Sequence, residues 1–101
     1  MLIVMGEAEA APGRRVEMVD ALSAMAAATR SDDGCVSYGF YADVTRPEMI
    51  LGIEVWRDRA ALDAHMSHDH TAEFIATVPD LVAGAPVMRF FDADPVSEKS
   101  R

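Results

Sequence analysis

Residues 49–56 read MILGIEVW, and this stretch decides the fold. Side chains of a strand alternate between its two faces, so the odd-numbered positions share one face and the even-numbered positions the other. The odd face carries only Met, Leu, Ile and Val, and the even face carries Ile50, Gly52, Glu54 and Trp56. Both faces are largely apolar, and a strand of this kind must be covered on both sides. We therefore expect helices on one face and a partner sheet on the other.

The rest of the chain supplies the elements that this strand needs. Apolar periodicity predicts strands and helices, and turn residues separate them. Asp58 is a predicted helix N-cap, and Pro79 should divide the last helical stretch. The predicted elements are a strand at 1–10, a helix at 12–30, strands at 35–43 and 49–56, a helix at 58–66, a broken helical stretch that ends near Val82, and a strand at 87–91. This βαββαβ order predicts an α+β, ferredoxin-like fold, an antiparallel sheet with helices on one face.

The strand at 35–43 has a mixed pattern. Alternation puts Val36, Tyr38 and Phe40 on one face and Cys35 on the other. Cys35 follows a turn, and we expect it to be structural rather than a reactive thiol.

The composition limits the range of functions. The 101 residues include 17 acidic and 9 basic ones, which gives a net charge of −8, and no run of basic residues forms a patch. This argues against nucleic acid and anionic membranes as partners. Half of the residues are hydrophobic, which favours self-association in so small a domain.

The chain is expected to form a single domain in the cytoplasm. Residues 1–92 make up the predicted domain, and residues 93–101 a polar C-terminal tail. The single cysteine cannot form an intrachain disulfide and fits a reducing compartment. The first residues lack the basic start and the long apolar run of a signal peptide.

Three motifs follow one another in the middle of the chain. They are Gly34-Cys35 followed by Tyr38 and Phe40, then Glu54-Val55-Trp56, then Ala61-Leu62 followed by His65, His70 and Phe74. In this order they resemble the antibiotic biosynthesis monooxygenase domain family, over residues 2–91. The family pattern has a serine between its two histidines, and in this sequence that position is occupied by His68.

The resemblance implies a dimeric α+β barrel. In such a barrel the sheets of two subunits face each other, and each subunit keeps a pocket between its own sheet and helices. The family includes cofactor-free oxygenases, quinol oxygenases, an isomerase and haem-degrading enzymes, so the fold transfers better than the reaction. The absence of Asn from the sequence, and His65 at the position of the Trp of the haem-degrading members, argue against haem degradation.

His65 is the first candidate for catalysis. Spacings of three and four residues place it with Leu62 and Met66 on the inner face of its helix. A neutral imidazole there can take a proton from a phenol or enol. A purely structural histidine would instead hydrogen-bond to a strand, for example to Glu54. The resemblance places His65 at the family's histidine.

Glu54 is the second candidate, because a carboxylate in an apolar strand needs a partner. It could orient His65, or it could pair with Arg89 for structural reasons alone. Aromatic and neighbouring side chains are candidates for a substrate pocket, with plain core packing as the alternative. The predicted substrate-binding residues are Trp56, Tyr38, Phe40, His70, Met66 and Phe74.

His65, His68 and His70 raise the question of a metal site. Spacings of three and five residues do not place all three on one helical face, and no carboxylate cage is visible in the sequence. We therefore expect solvated or capping histidines and no bound metal.

Three functions remain open. The first is a cofactor-free monooxygenase that acts with O2 on an electron-rich phenol, quinol or enol, with His65 as the base. The second is an isomerase that uses the same acid–base pair on a small oxygenated metabolite. The third is a non-catalytic dimeric binding or stress protein, in which core side chains close the pocket and Glu54 satisfies His65. The expected macromolecular partner is a second copy of the chain, joined through the sheet faces.

Overall fold

The secondary structure follows the predicted βαββαβ order. A computed structural model describes residues 1–96, and residues 97–101 of the predicted tail lie outside the described residues. The elements are β1 (Leu2–Glu9), α1 (Arg15–Thr29), β2 (Cys35–Asp43), β3 (Arg46–Trp56), α2 (Arg59–Met66), α3 (Asp69–Thr77), a 3₁₀ helix (Val78–Leu81) and β4 (Val87–Asp92).

The strands form one antiparallel sheet in the order β2-β3-β1-β4. At one end of the two central strands, Leu2 of β1 lies opposite Trp56 of β3 on one side and Asp92 of β4 on the other. This topology confirms the ferredoxin-like prediction. The last strand, β4, ends at Asp92.

The register of β3 separates its two faces as the alternation predicts. Ile50 and Trp56 are buried under the helices. On the opposite face, Tyr41 of β2 and Phe91 of β4 remain 55% and 44% exposed. That face, called the open face below, is therefore not covered within residues 1–96.

A β-bulge in β2 changes the predicted faces of that strand. Between Cys35 and Ser37 the pairing with β3 shifts by one residue, so Val36 is an extra residue that faces solvent. Cys35 consequently packs against the core on the same side as Tyr38. The prediction that Val36 shares the face of Tyr38 is wrong, because a bulge reverses the alternation on one side of it.

The core lies between the sheet and the helices. α1 buries Met18, Leu22 and Met25 along one stripe. Met25 packs with Val4 and with Trp56, which is fully buried. Full burial of an apolar side chain such as Met or Leu stabilises the fold by about 1.5–3 kcal/mol.

The helical region after β3 is divided as the sequence predicts. Asp58 caps α2, since its carboxylate accepts a hydrogen bond from the Ala61 amide at 2.9 Å. Pro79 lies in the 3₁₀ helix that follows α3. None of the helices within residues 1–96 is long and apolar enough to cross a membrane.

Candidate functional site

His65 lies on the buried face of α2, and its side chain is only 3% exposed. Its ring contacts Trp56 and Tyr38, with centroid distances of 4.7 and 5.9 Å. The Thr71 hydroxyl of α3 donates to the His65 carbonyl at 2.7 Å. These contacts with the ring and with the backbone hold His65 in place.

Asp32, in the loop between α1 and β2, is hydrogen-bonded to His65. Asp32 Oδ2 lies 2.8 Å from His65 Nδ1. Burial raises the pKa of Asp32, but the interactions with His65, His70 and His68 outweigh it, so this pKa lies below its usual value. An ionised carboxylate can only accept hydrogen bonds, so in a neutral His65 imidazole Nδ1 carries the proton and Nε2 is left as an acceptor.

The other two histidines converge on the same carboxylate oxygen. His70 Nε2 lies 3.0 Å and His68 Nδ1 3.2 Å from Asp32 Oδ2. One donor atom from each of the four residues lies within 4.8 Å of the others. The expectation of solvated or capping histidines is wrong, because the three rings share one carboxylate oxygen. α2 ends before His68, and the chain turns into a second helix. The geometry of one continuous helix therefore does not apply.

Gly34 brings the Asp32 loop against α2. Its φ angle is +79°, in the left-handed region that favours glycine. A Cβ atom at this position would collide with the Cβ of Ala61. The Gly34 carbonyl also accepts a hydrogen bond from the Arg57 amide at 2.8 Å. This close approach lets Asp32 reach His65.

Glu54 is near the site but does not orient His65. Glu54 Oε1 accepts a hydrogen bond from Trp56 Nε1 at 2.9 Å. Arg89 lies on the opposite face of the sheet, so it cannot pair with Glu54. The partner of Glu54 is therefore neither His65 nor Arg89, the two that the sequence suggested. Burial raises the pKa of Glu54 by more than the Trp56 hydrogen bond and the nearby His65 lower it.

A cavity of about 340 Å³, called the His65 cavity below, opens between the sheet and helices α2 and α3. Most of its walls are apolar, and His65, Glu54 and Tyr38 bring polar groups to them. The lining residues are Val4, Met25, Tyr38, Glu54, Arg59, Leu62, Asp63, His65, Met66, Thr71, Phe74, Ile75, Met88 and Phe90. A smaller cavity of about 120 Å³ shares Tyr38, Glu54, Phe74 and Met88 with it.

Four of the predicted substrate-binding residues line these cavities. Tyr38, Met66 and Phe74 line the His65 cavity, and Phe40 lines the smaller one. Met66 is 51% exposed, so it is not buried beside His65 as the helical spacing predicted, although it lines the same cavity.

Two of the predicted substrate-binding residues, Trp56 and His70, do not line either cavity. Trp56 is completely buried and supports the site by its contacts with His65 and Glu54. His70 instead hydrogen-bonds to Asp32.

Two further ionisable groups stay neutral beside the site. Burial, with Glu54 nearby, raises the pKa of Tyr38, so its hydroxyl remains a phenol at neutral pH. Burial also raises the pKa of Cys35. A partly buried thiol with a raised pKa is a poor nucleophile at neutral pH.

The family model of the antibiotic biosynthesis monooxygenases matches residues 1–77 of this sequence. The chain belongs to the antibiotic biosynthesis monooxygenase family. The matched region runs from β1 to the end of α3 and includes Asp32, Glu54 and the three histidines. The family resemblance of the three motifs is confirmed.

Relatives in sequence come from two bacteria. The chain is 38% identical over 82 residues to the uncharacterised protein sll1783 of Synechocystis sp., covering 81% of this chain and 56% of that protein. The chain thus spans little more than half the length of that relative. It is 37% identical over 71 residues to Rv0793 of Mycobacterium tuberculosis, named as a proposed monooxygenase, covering 70% of this chain and 69% of that protein.

Solved structures of family members share the fold. The Rv0793 structure superposes with a TM-score of 0.86 and 28% identity over 98% of both chains. A structure from Deinococcus radiodurans superposes with a TM-score of 0.89 over 99% of both chains, and its 24% identity supports the fold alone.

Asp32 is the site residue that sequence reasoning missed. It belongs to the cluster Ser31-Asp32-Asp33-Gly34, which predicts a turn, and aspartate is an ordinary turn residue. Asp32 and His65 are 33 positions apart in the chain. Only the packing of the loop on α2 reveals the contact.

Proposed function

We propose that this protein is a cofactor-independent oxygenase for small electron-rich phenols, quinols or enols, with His65 as the general base. The observation that carries the proposal is the Asp32–His65 hydrogen bond beside the His65 cavity. Asp32 accepts the proton of Nδ1, so Nε2 is the nitrogen that can take a proton from a substrate hydroxyl. Family membership supports an oxygenase reaction. The class of substrate is part of what we propose.

The cavity suits a small aromatic substrate. Its volume of about 340 Å³ lies at the lower end of the range for small-molecule sites. Phe74 and Met66 offer apolar contacts, and the neutral Tyr38 hydroxyl and Glu54 offer hydrogen bonds. When a substrate fills the cavity, its mainly apolar walls would limit the water around a reactive anion.

The proposed reaction needs no bound cofactor because the substrate itself supplies the electrons. Removal of a proton by His65 gives an electron-rich anion, which transfers one electron to O2. The resulting radical and superoxide combine through a new C–O bond. For a methylene carbon activated by the phenol, loss of water then leaves a carbonyl group, so one oxygen atom of O2 enters the product and the other leaves in water with both methylene hydrogens. Glu54, whose pKa is raised by burial, is a candidate proton donor to the departing oxygen.

The observed cavity argues against the non-catalytic alternative. That alternative requires core side chains to fill the space beside His65 and Glu54 to satisfy the imidazole. Instead, both residues line an open cavity, and His65 is bound to Asp32.

We propose that the protein works as a homodimer, in which the two sheets pack against each other through their open faces. This face presents half-buried Ile53 and Val55 together with exposed Tyr41 and Phe91. An apolar face of this kind is typical of a surface that a partner covers. We also propose a cytoplasmic location, because the thiol of Cys35 stays reduced there.

Oxygen uptake by chelator-treated protein with a panel of quinols and phenols tests this function. The wild-type protein should consume one O2 per product. His65→Gln should lower kcat on the order of 10²–10⁴-fold, the usual contribution of a general base. Circular dichroism should confirm that the variant remains folded.

Two outcomes would contradict the assignment. Undiminished oxygen uptake by folded His65→Gln would show that His65 is not the base. Product formation without oxygen consumption would identify an isomerase instead.

A further inference from the structure

We propose that Asp32, His65, His68 and His70 form a binding site for one divalent transition-metal ion, best suited to Zn²⁺. The site lies where the loop after α1 meets the junction of α2 and α3. The proposed oxygenase reaction does not use this metal ion.

The donor set and its spacing fit a four-coordinate ion. Three imidazole nitrogens and one carboxylate oxygen are preferred zinc donors. Around a tetrahedral ion with bonds of about 2.0–2.1 Å, neighbouring donor atoms lie about 3.3 Å apart. Asp32 Oδ2 lies 2.8, 3.2 and 3.0 Å from the nitrogens of His65, His68 and His70. The four atoms lie within 4.8 Å of one another, so modest side-chain rotations would complete the shell.

His68 gives an independent reason to expect a ligand. Asp32 Oδ2 has two lone pairs, and the hydrogen bonds from His65 and His70 use them. The third nitrogen, His68 Nδ1, is close to this oxygen but does not meet the geometry of a hydrogen bond. This nitrogen atom is buried and has no hydrogen-bond partner within residues 1–96. A metal ion among the four donors would satisfy it.

Charge and access also favour a cation here. The chain carries a net charge of −8, and Asp32 adds a buried carboxylate to the cluster. The side chains of His70 and His68 are 28% and 40% exposed, so an ion can enter from solvent. Asp32 and His65 form the buried end of the site.

Metal binding would change what His65 can do, a consequence that rests on the proposed function. A metal on Nδ1 moves the proton of a neutral imidazole to Nε2. His65 would then donate a hydrogen bond into the cavity and could not act as a base. The metal-loaded form is therefore expected to be inactive. A direct binding experiment tests the metal site whether or not the oxygenase proposal holds.

Titration of the tag-free, chelator-treated chain with Co²⁺, followed by displacement with Zn²⁺, tests the site. We expect one Co²⁺ per chain, with the strong visible absorption of four-coordinate cobalt. Replacing His68 with Ala should weaken binding at least about 10-fold, since even partners outside the first coordination shell contribute about 10–100-fold. Zn²⁺ should also raise the melting temperature of the wild-type protein, because it binds only the folded state.

A neighbouring carboxylate provides a matched control. Asp32→Asn should weaken Co²⁺ binding like His68→Ala, whereas Asp33→Asn, which removes the same charge from a 94% exposed side chain, should bind like the wild type. His68 makes no capping hydrogen bond, so its truncation should leave α3 folded. The proposal is overturned if no saturable binding occurs, or if His68→Ala and Asp32→Asn bind as tightly as Asp33→Asn.

Discussion

Glu54 is a carboxylic acid inside an apolar strand, and its raised pKa has a consequence for stability. Between the unfolded and folded pKa values the folded state binds more protons than the unfolded state. The free energy of unfolding therefore falls as pH rises through the folded pKa. The carboxylate form destabilises the fold at neutral pH.

Glu54→Gln should consequently be more stable than the wild type at about pH 7, and this advantage should shrink towards about pH 4. The amide oxygen can still accept the Trp56 hydrogen bond, so no buried donor loses its partner. Urea unfolding at both pH values measures the difference. Glu73→Gln, on the exposed side of α3, controls for the loss of one negative charge. A stability difference that does not change with pH would contradict the prediction.

At the scale of single residues, one half of the proposed catalytic pair could be predicted from the sequence. His65 is identifiable because a histidine among apolar helical positions faces the sheet. Asp32 carries no such signal, since its neighbours predict only a turn. The partner of Asp32 is determined by the folded position of the loop. The same limit explains why the sequence suggested His65 or Arg89, and not Trp56, as the partner of Glu54.

At the scale of elements, the loop before β2 is fixed by glycine at position 34. Gly34→Ala meets two penalties: roughly 1–2 kcal/mol for the left-handed backbone and about 1–3 kcal/mol for the collision with Ala61. Gly84 has the same φ of +79°, but a Cβ atom there would have no neighbouring atom within 4 Å, so Gly84→Ala should meet only the first penalty.

Denaturant unfolding of the two variants separates these penalties. Gly34→Ala should lose more stability than Gly84→Ala by about the cost of the collision. Equal losses would mean that the loop moves away from α2 without cost, and that Gly34 does not position Asp32.

The order of the elements could be predicted because each has its own periodicity and end signals. Asp58 and Pro79 act where the sequence places them. The bulge at Val36 could not be predicted, because it depends on pairing with β3 rather than on local pattern. The convergence of His68 and His70 likewise depends on the direction that α3 takes after the break.

At the scale of the whole molecule, we predict a homodimer formed through the open face. Ile53 lies near the centre of this face, between Met5 and Gly39 on neighbouring strands. Ile53→Lys should therefore give a monomer, because the dimer would bury an unpaired charge. Val16→Lys, on a 73% exposed position of α1, is the matched control and should leave the dimer intact.

Light scattering coupled to size-exclusion chromatography measures the mass directly. The wild type and Val16→Lys should elute at twice the mass of one chain, and Ile53→Lys at the mass of one. A monomeric wild type would remove the dimer from the proposal. A dimeric Ile53→Lys variant would place the interface elsewhere.

The central claim is that Asp32 orients His65 so that its Nε2 can take a proton. The most direct test compares the kcat for oxygen uptake of metal-free Asp32→Asn with that of metal-free Asp33→Asn. An amide can donate a hydrogen bond to Nδ1 and so allow the wrong imidazole tautomer. We predict that Asp32→Asn lowers kcat on the order of 10²-fold with little change in KM, while Asp33→Asn keeps the wild-type values. A folded Asp32→Asn variant with the kcat of Asp33→Asn would contradict the account.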